Sequence, residues 1–398
     1  MVKPIPSVLM VTGAYFPETS GAGLQCRELV RQLRRAVRFT ILTTTADPAA
    51  PVVDTQDGVT VHRVFVDPSD RRSKLVGAAR LTMAVFRNRH HFSILHLHGF
   101  SQKSILLTCL AFLSRWPVVI KLTSIGHDDP VSMKARGGLL YRCYLRAALY
   151  VGVSSRMKVL YERAGLPLSR FRLIPNGVDL DRFLPSDEAE RQALRHQLKL
   201  PDTGRAVLFV GFFSAEKCPD RLFDAWARLA LGHAEVGPLV FVGATRSGYY
   251  EVDPRIAERI RCRARDLGLE ARVVFVEHTS HIEHYYRAAD IFVLPSLREG
   301  LPNALLEAMA SGVACIASRL DGVTDDLIED GVSGLLVSPG DVAELETALR
   351  VLVDHPERLN EMGRLARQTI ESHFTIEQTA RKYLDVYRAV MERLGCAA

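Results

Sequence analysis

The chain is poor in everything that would fasten a fold covalently. Seven cysteines, Cys26, Cys109, Cys143, Cys218, Cys262, Cys315 and Cys396, are scattered through 398 residues without one C-x-x-C pair. That spacing excludes a disulfide framework and a thiolate zinc site, and it suits reduced thiols in a cytoplasmic protein. Long apolar runs are also missing. The longest, Ile105 to Leu113, is too short to span a bilayer. Met1 to Ser7 lacks the layout of a signal peptide, and Val8 to Phe16 reads as a first buried strand. No low-complexity tract, heptad array or short repeat occurs. Aromatics make up 8% of residues and do not interleave with the basic ones, so a nucleic-acid partner is not expected.

What is present is an ordinary globular composition, 47% apolar and 24% charged, in a chain long enough for two domains. Charge is divided unevenly. Residues 1–185 hold 26 basic and 12 acidic side chains, a net of +14, while the remainder holds 25 against 33, a net of −8. The basic half suits an anionic partner such as a membrane surface, a phosphorylated carrier lipid or nucleic acid, unless arginine is simply frequent throughout the proteome. Strand-length apolar runs alternate with helical patterns in both halves. This predicts an α/β protein of two doubly wound, Rossmann-like domains facing a cleft, with ligands at the carboxyl ends of the strands.

One stretch carries most of the information: Ala289 to Cys315, ADIFVLPSLREGLPNALLEAMASGVAC. Ile291 to Leu294 is a strand, Gly300 and Pro302 punctuate a turn, Asn303 to Ala310 is a helix, and Val313 to Ala317 is the next strand. Glu299 lies in the turn and Glu307 inside the helix, on the order of 10 Å apart at about 1.5 Å of rise per residue. The first helical amides lie between them, at the positive end of the helix dipole, where a phosphate is favoured. The pair could bracket a nucleotide sugar, with the sugar at Glu299 and the ribose at Glu307. It could equally be two solvated glutamates near a helix start.

The segment from Glu299 to Glu307, with ADIFVLPS before it and LLEAMASG around its end, resembles the E-x7-E signature of the family 4 retaining glycosyltransferases, also grouped as glycosyl transferases group 1. The resemblance implies the GT-B fold. Residues 1–180, joined by a last helix crossing back (376–398), would form the acceptor-side domain, and residues 181–375 the donor-binding domain. Further segments agree. The loop Phe16-Pro17 to Gly21 is similar to the family's F-P-x-x-G-G loop, with Ser20-Gly21 where Gly-Gly is usual. Ile174 to Asp179 matches its I-P-N-G-V-D hand-over between domains.

The resemblance also implies roles. Catalytic candidates are Glu299, Lys217 and His127. Donor-binding candidates are Gly21, Gly211, Lys217, Glu277, His278, Glu299, Gly300, Leu301, Asn303 and Glu307. The family expects G-R-L-x-x-x-K at Gly211 to Lys217; the lysine is kept but the arginine position is Phe212, so Arg298 or Arg246 would have to stand in. The cleft histidine expected after the strand Pro117 to Thr123 aligns with Thr123, which makes His127, four residues on, the candidate. His96 and His98 read as polar groups at a strand end facing the cleft. No metal or cofactor is implied beyond a nucleotide sugar as co-substrate.

The reaction expected is retaining transfer of a sugar from a UDP- or GDP-sugar to a hydroxyl of a saccharide, lipid-linked or small-molecule acceptor. Its setting would be cell-surface polysaccharide, glycolipid or natural-product glycoside synthesis. A sugar-nucleotide epimerase or hydrolase of the same fold, and a non-catalytic nucleotide-sugar-binding partner protein, are the alternatives. Asp67 to Phe92 mixes arginines with Leu75, Val76, Leu81, Met83, Val85 and Phe86. It reads either as a helix lying on the anionic inner face of a membrane or as an ordinary helix with one core face and one solvated face.

Overall fold

The computed structural model describes residues 5–395 except 19, 68–69, 88 and 247–251; Cys396 lies outside the described residues. The chain divides into two compact units, Met1–Gly177 with Ile376–Ala398, and Val178–Thr375.

In the first unit the chain runs β1 (Ser7–Thr12), α1 (Gly21–Leu33), β2 (Arg38–Thr45), β3 (Val53–Gln56), β4 (Val59–Phe65), α2 (Arg71–Arg87), β5 (Ile94–His98), α3 (Gln102–Leu113), β6 (Val118–Leu122), α4 (Pro130–Arg136), α5 (Gly138–Tyr144), β7 (Leu149–Gly152), α6 (Ser155–Arg163) and β8 (Phe171–Leu173). The second unit runs α7 (Glu188–Gln197), β9 (Arg205–Val210), α8 (Pro219–Ala230), β10 (Val236–Val242), α9 (Pro254–Asp266), β11 (Val273–Val276), α10 (Ile282–Ala288), β12 (Ile291–Leu294), α11 (Asn303–Ala310), β13 (Ala314–Ser318), β14 (Leu335–Val337), α12 (Val342–Asp354) and α13 (Pro356–His373); then α14 (Ile376–Gly395) joins the first unit.

The sheets are ordered β3-β4-β2-β1-β5-β6-β7-β8 and β11-β10-β9-β12-β13-β14. All described strand pairings are parallel except β3 with β4. Right-handed crossovers dictate the layering. In the first unit α1, with α14 packed on it, covers one face of the sheet, and α2, α3, α5 and α6 cover the other. Order reverses at β1 and at β9, since each has its successor on one side and a much later strand on the other. Such switch points open a crevice at the strands' carboxyl ends, because the helices on either side diverge there.

Parallel strands buried on both faces read as continuous apolar runs, and β9, β10, β12 and β13 do. Three details depart from the sequence reading. β3 went unforeseen, because VDTQ carries little apolar signal and forms an exposed antiparallel edge. Ile105 to Leu113 is not a core helix throughout: Leu106, Phe112 and Leu113 are exposed. His96 and His98 do not face outward. Both are buried on the α14 side, His96 completely, with its Nδ1 2.8 Å from the Tyr387 hydroxyl.

Burial pushes the His96 imidazole down to about 3, with Lys121 adding to it, and holds His98 well below its ordinary value. Lys121, also buried, is lowered to about 8 by the same desolvation. A histidine whose folded value is depressed stabilises the fold fully above the unfolded value near 6.5, and that contribution is lost as pH falls below it. Asp128 works the other way, since burial raises it to about 6. We therefore expect the unfolding free energy from urea titration to drop by about 1.4 kcal/mol per pH unit below 6.5 from each histidine, one of them offset by Asp128. Subtracting the profile of His98→Asn should remove one such slope; an unchanged slope would contradict it.

Candidate functional site

Two loops meet at the switch point of the second sheet. The first follows β9, from Gly211 to Cys218. Ser214 turns it: its carbonyl accepts from the amides of Lys217 and Cys218, both at 3.2 Å. Cys218 takes a left-handed conformation (φ 51°), and Pro219 begins α8, where a missing amide proton costs nothing. The second loop follows β12, from Pro295 to Pro302. The Leu297 amide donates to the Glu216 carbonyl at 2.7 Å, and Arg298 pairs with the Glu216 carboxylate. The decisive contact is Lys217 Nζ to Glu299 Oε1 at 2.6 Å, with the Glu299 side chain 9% exposed and that of Lys217 29%. The two strongest candidates thus form one ion pair, 82 residues apart in sequence.

Behind Glu299 the chain enters α11. Pro302 is the N-cap, and Asn303 opens the helix. Leu305 and Leu306 are fully buried and fix its position, while Gly300 and Leu301 are buried in the turn. Glu307 accepts a hydrogen bond from the Tyr286 hydroxyl at 2.9 Å. Burial, and then the Glu307 charge, hold the Tyr286 phenol well above its usual range, so it stays a donor. Tyr286 is fixed in turn between Phe183 and Phe292. Glu307 therefore comes preset by a partner that no sequence pattern marked.

The neighbouring edge is formed by the ends of β10 and β11. The Gly211 amide donates to the Val242 carbonyl, and the Gly243 amide to the Val276 carbonyl. A Cβ on Gly243 would lie 2.1 Å from the Gly211 carbonyl oxygen, and its φ is 146°. Only glycine allows these two loops to approach so closely. Glu277 and His278 are exposed just beyond β11. Burial tends to raise the Glu277 carboxyl, but hydrogen bonds from the Thr245 hydroxyl and amide and from the Arg246 amide, with Arg261 nearby, hold it below its ordinary value. Of the suggested replacements for the missing arginine, Arg298 is engaged with Glu216 and Arg246 is exposed.

In the first unit Gly21 is the opening residue of α1, capped by Ser20, whose Oγ accepts from the Gly23 amide at 3.1 Å. His127 is exposed in the loop after β6. That loop is organised by Asp128, which accepts from the Thr123 amide, the Thr123 hydroxyl and the Ser124 amide at 2.7–2.9 Å. The structure thus brings together Gly211, Lys217, Glu299, Gly300 and Leu301, sets Glu307 within the same turn-helix unit, and puts Glu277 and His278 at the adjoining edge.

Two features lie apart. A cavity of about 220 Å³ opens at the amino ends of β12 and β13, beside Arg191, Asp290 and Gly312, on the sheet edge opposite Glu299. His281, Glu283 and His284 have their ligand atoms within 4.8 Å of one another, but Arg182 already holds the Glu283 carboxylate at 2.9 and 3.1 Å.

Comparison with known proteins fits this geometry. Residues 190–369 match the family described as glycosyl transferases group 1, and residues 19–182 match Glycosyltransferase Family 4. D-inositol 3-phosphate glycosyltransferase 2 of Catenulispora acidiphila is 30% identical over 381 residues, 89% of this chain and 86% of that protein. The chain belongs to the group 1 glycosyltransferases. It is a glycosyltransferase enzyme. A second relative, D-inositol 3-phosphate glycosyltransferase of Geodermatophilus obscurus, is 28% identical over 403 residues, covering 96% of this chain and 87% of that one. Among solved structures, sucrose-phosphate synthase from Thermosynechococcus elongatus superposes with a TM-score of 0.80 at 23% identity, covering 99% and 100% of the two chains. The Anabaena protein Alr3699/HepE, in complex with UDP and glucose, gives 0.78 at 20% identity over 96% and 100%. The fold of this glycosyltransferase is therefore GT-B, two Rossmann-like domains. Among its described residues no helix is long and apolar enough to cross a membrane.

The closeness of Gly243 to Gly211 gives a direct test of how the site edge is built. Gly243→Ala should lower stability by more than about 2 kcal/mol, read as a fall in thermal midpoint; a melt matching wild type would show that the two loops can part freely.

Proposed function

We propose that this glycosyltransferase transfers a sugar from a nucleoside-diphosphate sugar to a hydroxyl acceptor with retention of anomeric configuration. The observation that supports it most is the Lys217–Glu299 pair at the second sheet's switch point, in front of the amino end of α11. Glu299 would hold sugar hydroxyls and Glu307 the ribose. Lys217 and the α11 amides from Gly300 onward would stabilise the diphosphate as it leaves. Electrostatic stabilisation of charge developing on a leaving group is usually the largest single contribution to catalysis. No side chain is assigned as a nucleophile, and the departing phosphate would help take up the acceptor's proton. Residues 181–375 would hold the donor. The first unit would hold the acceptor, with Gly21 reaching the donor and His127 serving the transfer itself.

A UDP- or GDP-sugar is the donor in this reading, and neither metal nor cofactor takes part. The curated relatives act, by name, on an inositol phosphate. The net +14 of residues 1–185 suits an acceptor of that charge or a phosphorylated lipid. A cytoplasmic enzyme working at the inner face of a membrane, in polysaccharide, glycolipid or glycoside synthesis, is part of the same reading.

The test is donor turnover. Wild type should consume one class of nucleotide sugar only with acceptor present and yield a product of unchanged anomeric configuration by NMR. Glu299→Ala and Lys217→Ala should each lose about 10²–10³-fold in turnover while keeping the wild-type melting profile. Near wild-type rates in both would remove the assignment, and turnover without acceptor would favour a hydrolase or epimerase.

A further inference from the structure

The helix α2 is apolar on two opposite faces. Gly77, Leu81 and Val85 recur every four residues and are buried against the unit. Leu75, Met83 and Phe86 lie on the reverse side with Ala79, and they are exposed by 73%, 51% and 46%. Positions 75, 79, 83 and 86 form one continuous stripe on a helix of 3.6 residues per turn. A helix needs only one apolar face to fold onto its domain, so the second has no structural reason in this unit.

The outward stripe continues onto α3, which packs beside α2. Leu106, Phe112 and Leu113 are exposed there, and Cys109 with them. Beyond α3 lies α5, with Leu139 62% exposed. Exposed apolar side chains on three adjacent helices exceed the scattered singles of an ordinary surface.

The charge around this surface is strongly positive, although the exposed Asp70 accepts from the first amides of α2. From Arg71 to Tyr161 the sequence has fifteen lysines and arginines, of which Lys121 is buried, and two carboxylates, Asp128 and Asp129, both buried. Arg71, Arg72, Lys74, Arg80 and Arg87 on α2, Arg115 after α3, and Arg142 and Arg146 around α5 are all exposed.

The geometry points to the α2–α3–α5 face as the surface by which this protein docks on an anionic lipid bilayer, its apolar stripe entering the headgroup region and its arginines meeting lipid phosphates. A protein partner would need a matching acidic rim around an apolar ridge; a bilayer supplies both at once. The docking face rests on the membrane setting given under the proposed function and names the surface that would serve it; it requires nothing of the transfer chemistry, so the two can fail separately.

Flotation of the full chain with phosphatidylcholine vesicles, with and without phosphatidylglycerol, tests it. Binding should occur only with the anionic lipid and weaken as salt rises from 0.1 to 0.5 M, as screening predicts. Met83→Glu with Phe86→Glu, and Arg80→Glu with Arg87→Glu, should each raise the lipid needed for half-binding about tenfold or more, with melting temperature and donor turnover unchanged. Because charge on a helix can unfold it, a second measurement keeps the original side chains. A polarity-sensitive dye on Cys109, with Cys262 and Cys396 replaced by serine, should shift to the blue with anionic vesicles. No binding to anionic vesicles, binding untouched by the substitutions, or a silent dye on bound protein would each overturn the proposal. So would a dimer that both variants dissociate, which would assign the face to a second copy. An inactive protein that still floats would count against the catalytic reading alone.

Discussion

The ion pair between Lys217 and Glu299 is the constraint around which the second unit's loops are arranged. A lysine on a short loop after β9 has many rotamers, and holding it costs about 2 kcal/mol of side-chain entropy. That cost is offset by a carboxylate largely shielded from water at 2.6 Å, where attraction is stronger than at an open surface. The pair does not act alone. The Leu297 amide on the Glu216 carbonyl, and Arg298 on the Glu216 carboxylate, join the same two loops from the other side. Two loops that could each wander are held in one geometry before any ligand arrives.

Phe212 stands where an arginine was expected, which leaves Lys217 as the cation that the loop after β9 brings to Glu299. With Glu299 beside it, Lys217 gives one ammonium proton to the pair and keeps two further donors on the same group. At the amino ends of the same strands the logic differs. Asp290 accepts from the Ala206 amide at 2.6 Å and pairs with Arg195, both side chains nearly dry. The Ala206–Asp290 hydrogen bond ties the amino ends of β9 and β12 together, and Arg195 fastens α7 to the same carboxylate. One carboxylate fastens the strands where they begin, and another orders the loops where they end.

Much of this was legible in residues. The alternation of strand and helix, the glycine turns after β1 and β9, and the segment Glu299 to Glu307 all announce themselves locally. What escaped was whatever depends on distant partners. Nothing around Tyr286 tells that its hydroxyl meets Glu307, 21 residues on. His96 and His98 sit at a strand's end, where polar residues usually reach solvent, but α14 returns from 291 residues away and covers His96 with Tyr387. The apolar pattern of α2 could be read as a membrane face or as a core face. Buried Leu81 and Val85 and exposed Met83 and Phe86 show a core face and, opposite it, a second apolar face that the unit leaves uncovered.

That return of α14 bears on how the protein is made. Ala380, Tyr383, Val386, Tyr387 and Val390 belong to the same core as Val8, Met10 and Ile41. On the ribosome, the first unit's sheet and α1 can form early, but the α14 side chains that complete the core on that face arrive only once the chain has been extended through Val390. The second unit, continuous from Val178 to Thr375, has all of its residues sooner. The half translated first is therefore the half completed last, and until then the core that α1 shares with β1 and β2 stays partly open.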